Sequence, residues 1–224
     1  MLKARISEVF ESIQGEGLYL GAKQIFVRFF GCNLSCKFCD TKLYHFLEYE
    51  PVELFNEIKL YQDKYHSISF TGGEPLLQID FLKEILRLTK EAGYKNYLET
   101  NGTLPGELAS VIDDLNFVSM DFKFPSSASM GNLWGFHRRF FKIASRKEVF
   151  LKAVICEDTK LEDLREALKL IKDVNKFTIL VLQPNSQEDY FKTREKCELF
   201  KAVCQEDNIT ACIIPQMHKV AGIK

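Results

Sequence analysis

The chain has 224 residues, of which 46% are hydrophobic and 27% are charged, and its formal net charge is -1. This length suits one large core, so we expect a single domain over residues 1–224. A chain that is not basic overall is not expected to bind nucleic acid or a membrane surface. The sequence shows neither a secretory signal pattern nor an apolar run near the roughly 20 residues of a membrane helix, which predicts a cytoplasmic protein.

Strand-like and helix-like segments alternate along the chain. In order, the predicted strands are 24–30, 67–70, 95–100, 117–123, 148–155, 176–184 and 209–215. The predicted helices are 51–65, 79–94, 105–115, 161–174 and 186–207. The stretch 124–147 is predicted as loop plus a helix. This alternation predicts βαβ units with parallel strands, and about six to seven strands fit a partial, open β/α barrel better than a closed barrel, which usually needs about 250 residues.

Polar segments rich in glycine and proline follow six of the predicted strands. They are GCNLSCKFCDT, TGGEP, ETNGT, the DFK end of its strand, QPN and PQMHK. In parallel α/β architectures the functional groups lie beyond the carboxyl ends of the strands. One composite site at this end of the barrel is the simplest explanation of all six segments.

Three cysteines, Cys32, Cys36 and Cys39, occur within eight positions. Thiolates bind zinc, copper(I) and iron–sulfur clusters. One loop can ligate three irons of a four-iron cluster and leave the fourth iron open to a small molecule. Two alternatives stay open: a structural zinc site with His45 as its fourth ligand, and an electron-transfer cluster, although such clusters normally have four cysteines. The remaining cysteines are expected to be small buried hydrophobes: Cys156, Cys197, Cys204 and Cys212.

The spacing C-x3-C-x2-C, with Phe38 before the last cysteine, resembles the signature loop of the radical S-adenosylmethionine enzymes. The resemblance implies a 4Fe-4S cluster on the three cysteines, with S-adenosylmethionine on the open iron and its reductive cleavage to a 5′-deoxyadenosyl radical. It implies that Gly72, Gly73 and Glu74 bind the methionine amino group, which needs carbonyl and carboxylate acceptors. Further implied contacts to S-adenosylmethionine are Glu99, Asn101, Asp121, Phe122, Lys123, Gln183, Pro184 and Asn185.

Three further segments are similar to one branch of that family, the 7-carboxy-7-deazaguanine synthases: FESIQGEG at 10–17, CDT at 39–41 and PQMHKVAGI at 215–223. The resemblance implies ring contraction of 6-carboxy-5,6,7,8-tetrahydropterin to 7-carboxy-7-deazaguanine with loss of ammonia, on the route to 7-deazapurines such as queuosine. It also implies Mg²⁺ at Thr41, a homodimer, and a flavodoxin or ferredoxin as reductant. The expected substrate contacts are Ile13, Gln14, Gly15, Glu16, Arg28, Thr71, His218 and Lys224.

Two of these residues can be argued from their chemistry. Arg28 interrupts an apolar strand and therefore needs a partner, and a substrate carboxylate is one candidate because a guanidinium forks onto carboxylates. Gln14 can both donate and accept, as the amide edge of a pterin requires. A glycyl-radical activating enzyme would share the cysteine loop but would not explain QGEG or QMHK. The final segment is expected to close over the pocket.

Overall fold

The computed structural model describes residues 2–41, 43–217, 219 and 222 of the chain. Their strands are β1 Ala4–Ile13, β2 Lys23–Phe29, β3 Leu47–Tyr49, β4 Ser67–Gly72, β5 Asn96–Thr100, β6 Phe117–Asp121, β7 Glu148–Ile155, β8 Leu180–Pro184 and β9 Ala211–Ile213. These strands form one sheet in the order β3-β1-β2-β4-β5-β6-β7-β8-β9.

The helices lie between the strands, as the sequence predicts. They are α1 Pro51–Ile58, α2 Ile79–Glu91, α3 Pro105–Val111, α4 Pro125–Ala128, α5 Trp134–Ala144, α6 Leu161–Asn175 and α7 Tyr190–Glu206. Proline opens α1, α3 and α4, where its fixed φ suits the first helical turn. In α7 the N-cap Asp189 accepts hydrogen bonds from the backbone N–H groups of Phe191 and Lys192.

The fold class is confirmed. Among the described residues, β2 and β4 through β9 form a run of seven strands in which every neighbouring pair is parallel. The sequence did not predict the two antiparallel strands at the other side of the sheet, where β1 pairs with β2 and β3 pairs with β1. The sheet is open, since β3 and β9 stand at its two edges.

A continuous apolar core forms between the sheet and its helices, because strands covered by helices bury nearly every side chain. In β4, for example, Ile68 and Phe70 are fully buried, as are Leu82, Ile85 and Leu86 of α2. Cys197 and Cys204 belong to this core, as expected of small apolar side chains. Over the described ranges, no helix combines the length and the apolar character that a membrane crossing requires.

Candidate active site

A cavity of about 900 Å³ lies at the carboxyl ends of the parallel strands. It is lined by most of the residues that the sequence predicts for cluster, cofactor, substrate and metal: Cys32, Cys36, Cys39, Thr41, Gly72, Gly73, Glu99, Asn101, Asp121, Lys123, Gln183, Asn185, Ile13, Gln14, Gly15, Glu16, Arg28 and Thr71. Glu74, Phe122 and Pro184 are described but do not line the cavity. His218 and Lys224 lie outside the described residues.

The cysteine loop, residues 30–41, follows β2 and contains neither helix nor strand. Buried Phe38 anchors it against Ala128 and Cys156, and the backbone N–H of Lys37 donates to the carbonyl of Ala128 at 3.0 Å. All three thiols are free. Burial raises the pKa of Cys36, and the Lys123 ammonium acts in the opposite direction by favouring the thiolate. Three thiols on one loop beside a large cavity suit a cluster with one open iron.

The Gly72-Gly73 turn packs directly on the start of the cysteine loop. Gly72 has φ +126°, and a Cβ atom on Gly73 would lie 1.8 Å from the carbonyl oxygen of Gly31. The backbone N–H groups of Gly73 and Glu74 donate to the carbonyls of Phe29 and Gly31, at 3.0 Å and 2.8 Å. Only glycine permits this approach, so the turn and the cysteine loop share one wall of the cavity.

Glu74 lies beneath this wall rather than in the cavity. Its fully buried carboxylate accepts hydrogen bonds from the backbone N–H of Asn101 at 2.8 Å and from the Thr100 hydroxyl at 3.0 Å. It also accepts from the backbone N–H of Leu76 at 3.1 Å. Burial raises the pKa of Glu74 to about 7. The expectation that this carboxylate contacts an amino group therefore needs correction: it ties the β4 turn to the end of β5.

Two further expectations need correction because side chains alternate along a strand. Asp121 and Lys123 line the cavity, whereas Phe122 between them packs in the core against Trp134 and His137. Pro184 is likewise buried at the end of β8, while Gln183 and Asn185 line the cavity. Gln183 is only 2% exposed, and its Oε1 has no hydrogen-bond partner within the described part of the chain. A buried acceptor of this kind fits a ligand that donates an N–H or O–H.

Glu99 is surrounded by donors. Its Oε1 accepts from Gln14 Nε2 at 2.9 Å and from the Ser69 hydroxyl at 3.0 Å, and its Oε2 accepts from the Thr71 hydroxyl at 3.1 Å. Gln14 Nε2 also donates to Gln24 at 2.9 Å, so both of its protons are used inside the protein. The structure thus places Glu99 among the residues predicted for the substrate rather than beside Asn101.

Lys152 is a site residue that the sequence analysis missed. Its Nζ contacts Glu16 Oε2 and lies 3.3 Å from Asp121 Oδ1, and Lys123 Nζ lies 2.7 Å from the other oxygen of Asp121. We call Glu16, Asp121, Lys123 and Lys152 the charged wall. Burial lowers the pKa of Lys152, but the nearby Asp121, Glu16 and Glu99 outweigh burial and raise it well above its usual range. The available signal was a lysine within the apolar run EVFLKAVI.

Arg28 has a partner within the protein. Its Nε lies 3.3 Å from Glu8 Oε2 on β1, and its guanidinium lies 5.5 Å from the centre of the Phe10 ring. Phe10 stacks on Phe26 at 5.1 Å, and both rings line the cavity with Arg28. The requirement for a partner is met by Glu8, and Arg28 presents a cation beside two aromatic faces.

Gln216 and Lys219 line the cavity beside the charged wall. Gln216 Nε2 donates to Glu16 Oε1 at 2.7 Å and to Asp40 Oδ2 at 3.0 Å. The backbone N–H of Met217 donates to the carbonyl of Gly15 at 2.9 Å, and Lys219 Nζ lies 3.2 Å from Asp40 Oδ2. We call Gln216, Met217 and Lys219 the terminal strap. These contacts join the terminal strap to Gly15, Glu16 and Asp40, and the expectation that the final segment closes over the pocket stays a prediction.

Comparison with known proteins defines the class. Residues 26–197 match the family model described as the Radical SAM superfamily, and this chain belongs to that superfamily. The family implies a 4Fe-4S cluster and S-adenosylmethionine, and the free thiols and the glycine turn fit both groups.

The closer relatives define the branch. A 7-carboxy-7-deazaguanine synthase from Geobacter sulfurreducens is 35% identical over 98% of this chain and 97% of its own length. One from Methanocaldococcus jannaschii is 32% identical over 97% and 99%. The chain therefore belongs to the 7-carboxy-7-deazaguanine synthase family. The crystal structure of QueE from Escherichia coli shares the fold, with a TM-score of 0.66, 21% identity and coverage of 94% of this chain and 93% of that chain.

Proposed function

We propose that this chain, as one catalytic domain over residues 1–224, converts 6-carboxy-5,6,7,8-tetrahydropterin to 7-carboxy-7-deazaguanine with loss of ammonia. Its relatives carry the name of this product. The single observation that carries the proposal is that one cavity is lined by three free thiols, by Glu99 with its donors Gln14 and Thr71, by Arg28 and by the charged wall. A small polar substrate bound there would lie beside the cofactor.

Cys32, Cys36 and Cys39 would hold the cluster, and with S-adenosylmethionine bound it would supply the radical chemistry needed to remove a hydrogen atom from the substrate. The protein's part is to orient these groups and to keep water away. Gly72 and Gly73 allow the cofactor to approach the backbone, Gln183 Oε1 offers a buried acceptor, and Lys123 supplies a cation near the thiolates.

The substrate half of the proposal rests on Glu99 and its neighbours. A carboxylate held by donors from Gln14 and Thr71 is an acceptor in a fixed place, and it fits the N–H groups of a pterin. Arg28 fits the substrate carboxylate, and the Phe10 and Phe26 rings offer apolar faces to a flat ring system. Gln14 then acts by holding Glu99 in place, since both of its protons are used.

The magnesium site is proposed at Thr41, which lines the cavity. Its hydroxyl lies 3.4 Å from Asp40 Oδ1, and a hydroxyl beside a carboxylate suits a cation that retains several waters. Thr41→Ala is expected to raise the Mg²⁺ concentration needed for half-maximal activity about tenfold, as loss of a metal contact typically does. An unchanged requirement would place the ion elsewhere. A homodimer, and reduction by a flavodoxin or ferredoxin, are proposed from the family resemblance.

The test is an anaerobic assay of the reconstituted protein with reductant, S-adenosylmethionine and the carboxytetrahydropterin. We expect 7-carboxy-7-deazaguanine, measured by mass spectrometry, with S-adenosylmethionine regenerated. Release of 5′-deoxyadenosine without that product would refute the synthase proposal and leave the radical chemistry intact. A colourless protein that binds one zinc ion would instead favour a structural metal site.

A further inference from the structure

Three polar side chains from two loops form a closed ring of hydrogen bonds beside Cys32. Asn33 Nδ2 donates to Thr103 Oγ1 at 2.9 Å, Thr103 Oγ1 donates to Asn101 Oδ1 at 2.5 Å, and Asn101 Nδ2 donates to Asn33 Oδ1 at 2.8 Å. We call these three side chains the amide ring. Each gives one hydrogen bond and receives one, so the ring fixes the orientation of both amides.

The second proton of the Asn101 amide is directed at the cysteine loop. Nδ2 lies 3.8 Å from Cys32 Sγ and donates to it. The side chain is thus fully used, although Asn101 was predicted to contact S-adenosylmethionine. Asn101 itself is only 5% exposed, whereas its partners Cys32 and Asn33 are exposed.

The backbone of Asn101 is held from both sides. Its N–H donates to Glu74 Oε2 at 2.8 Å, and its carbonyl accepts from His137 Nε2 at 3.2 Å. His137 is fully buried, and burial lowers its pKa to about 4, so its imidazole is neutral at pH 7. The imidazole proton lies on Nε2, because the Asn101 carbonyl can only accept. The next residue, Gly102, has φ +70°, and a Cβ there would lie 2.7 Å from Met120 Cε. These constraints fix the direction of the Asn101 side chain.

We infer that Asn101 is a positioning residue for the iron–sulfur cluster, acting through a hydrogen bond to the Cys32 sulfur and through the amide ring that holds the cysteine loop. Hydrogen bonds to ligand sulfurs favour the reduced, more negative cluster and so raise its reduction potential. The inference concerns the cluster that the family implies, and it does not depend on the substrate proposed above.

The first test is a potentiometric titration of the reconstituted, substrate-free protein, followed by electron paramagnetic resonance. At the wild-type midpoint, Asn101→Ala is expected to show an approximately tenfold lower ratio of reduced to oxidised cluster, which equals a shift of about 59 mV to more negative potential. The control is Asn56→Ala on the exposed face of α1, which should leave the midpoint unchanged. A midpoint equal to the wild type would overturn the hydrogen bond to sulfur. If Asn101→Ala holds no cluster, Asn101→Leu, which keeps a similar shape without N–H donors and without a charge, takes its place under the same criterion.

The second test separates the ring from the bond to sulfur. Thr103→Val and Asn33→Ala break the ring but leave the Asn101 N–H, so the cluster should be lost to a chelator about tenfold faster. For Thr103→Val we expect a midpoint close to the wild type. Loss rates equal to those of Asn56→Ala would show that the ring does not hold the loop, whatever the enzymatic activity of the variants.

Discussion

The two polar sides of the cavity are built in different ways. The amide ring is neutral, and it joins the cysteine loop to the loop after β5 by short, closed hydrogen bonds. The charged wall joins ionised groups from three segments, and its link to the terminal strap spans 200 residues of sequence. Neutral hydrogen bonds need no counter-ion, whereas buried charges depend on their partners being in place. Two loops therefore form the side of the cavity with the cysteines, whereas distant parts of the chain form the side with the charged wall.

The largest expected effect comes from breaking the charged wall. Lys152→Met removes the buried cation that contacts both Glu16 and Asp121, although Asp121 keeps Lys123 as a partner, and removal of one partner from a buried ion pair costs about 4 kcal/mol. We expect a loss of this order in the free energy of unfolding, measured by urea denaturation, together with weaker substrate binding. The control is Lys90→Met, since the Lys90–Asp114 pair is exposed and should contribute little. A variant as stable as the wild type would show that the ion pairs of Lys152 do not stabilise the charged wall.

The next effect concerns His137, which donates to the backbone carbonyl of Asn101 in the amide ring. Because its pKa in the folded protein is about 4, below the usual 6.5, the unfolded chain binds the extra proton as the pH falls from 6.5 to 4. The wild type should therefore lose stability over this range, by up to about 3 kcal/mol, relative to His137→Gln, which cannot titrate but can still donate.

Urea unfolding at several pH values measures this difference. Glu74, whose pKa is raised to about 7, makes the folded protein more stable as the pH falls, which is the opposite sign. Because Glu74 is present in both proteins, its contribution cancels from the difference between them. His137→Phe is the matched control, because it removes both the titration and the donor to Asn101. A difference between wild type and His137→Gln that does not vary with pH would contradict the buried neutral histidine.

The smallest effect tests the terminal strap. Gln216→Ala removes the donor shared by Glu16 and Asp40, and a hydrogen bond to a charged group contributes about 1.5 kcal/mol. We expect KM for the pterin to rise about tenfold with kcat nearly unchanged. Gln205→Ala, at an exposed position of α7, should leave KM as it is. A fall in kcat without a change in KM would assign Gln216 to the chemical step instead.

The parallel strands were predictable because they are apolar runs between helices. The segment 148–155 was predicted with both of its observed ends, and the strand-end rule located the cavity. Strand β1 was not predicted, since its sequence, ARISEVFESI, mixes charged and apolar residues and gains its order from pairing with β2.

The directions of the polar side chains and their hydrogen-bond partners were harder to predict. Motif matching assigned Glu74 and Gln14 to ligands, but their donors and acceptors are already paired inside the protein. That pairing depends on residues far away in sequence, such as Gln24 and Thr100. Lys152 was missed for the same reason, since its partners Glu16 and Asp121 come from other segments.

The central claim is that one side of the cavity holds the cluster and the other selects the substrate. Its most direct test is the ratio of 7-carboxy-7-deazaguanine formed to 5′-deoxyadenosine released by Glu99→Gln, with the exposed Glu195→Gln as control. We predict that Glu99→Gln keeps its full cluster content while this ratio falls at least about tenfold, because a misplaced donor disturbs the group that binds the pterin. An unchanged ratio, or loss of the cluster in Glu99→Gln, would contradict the division of the cavity.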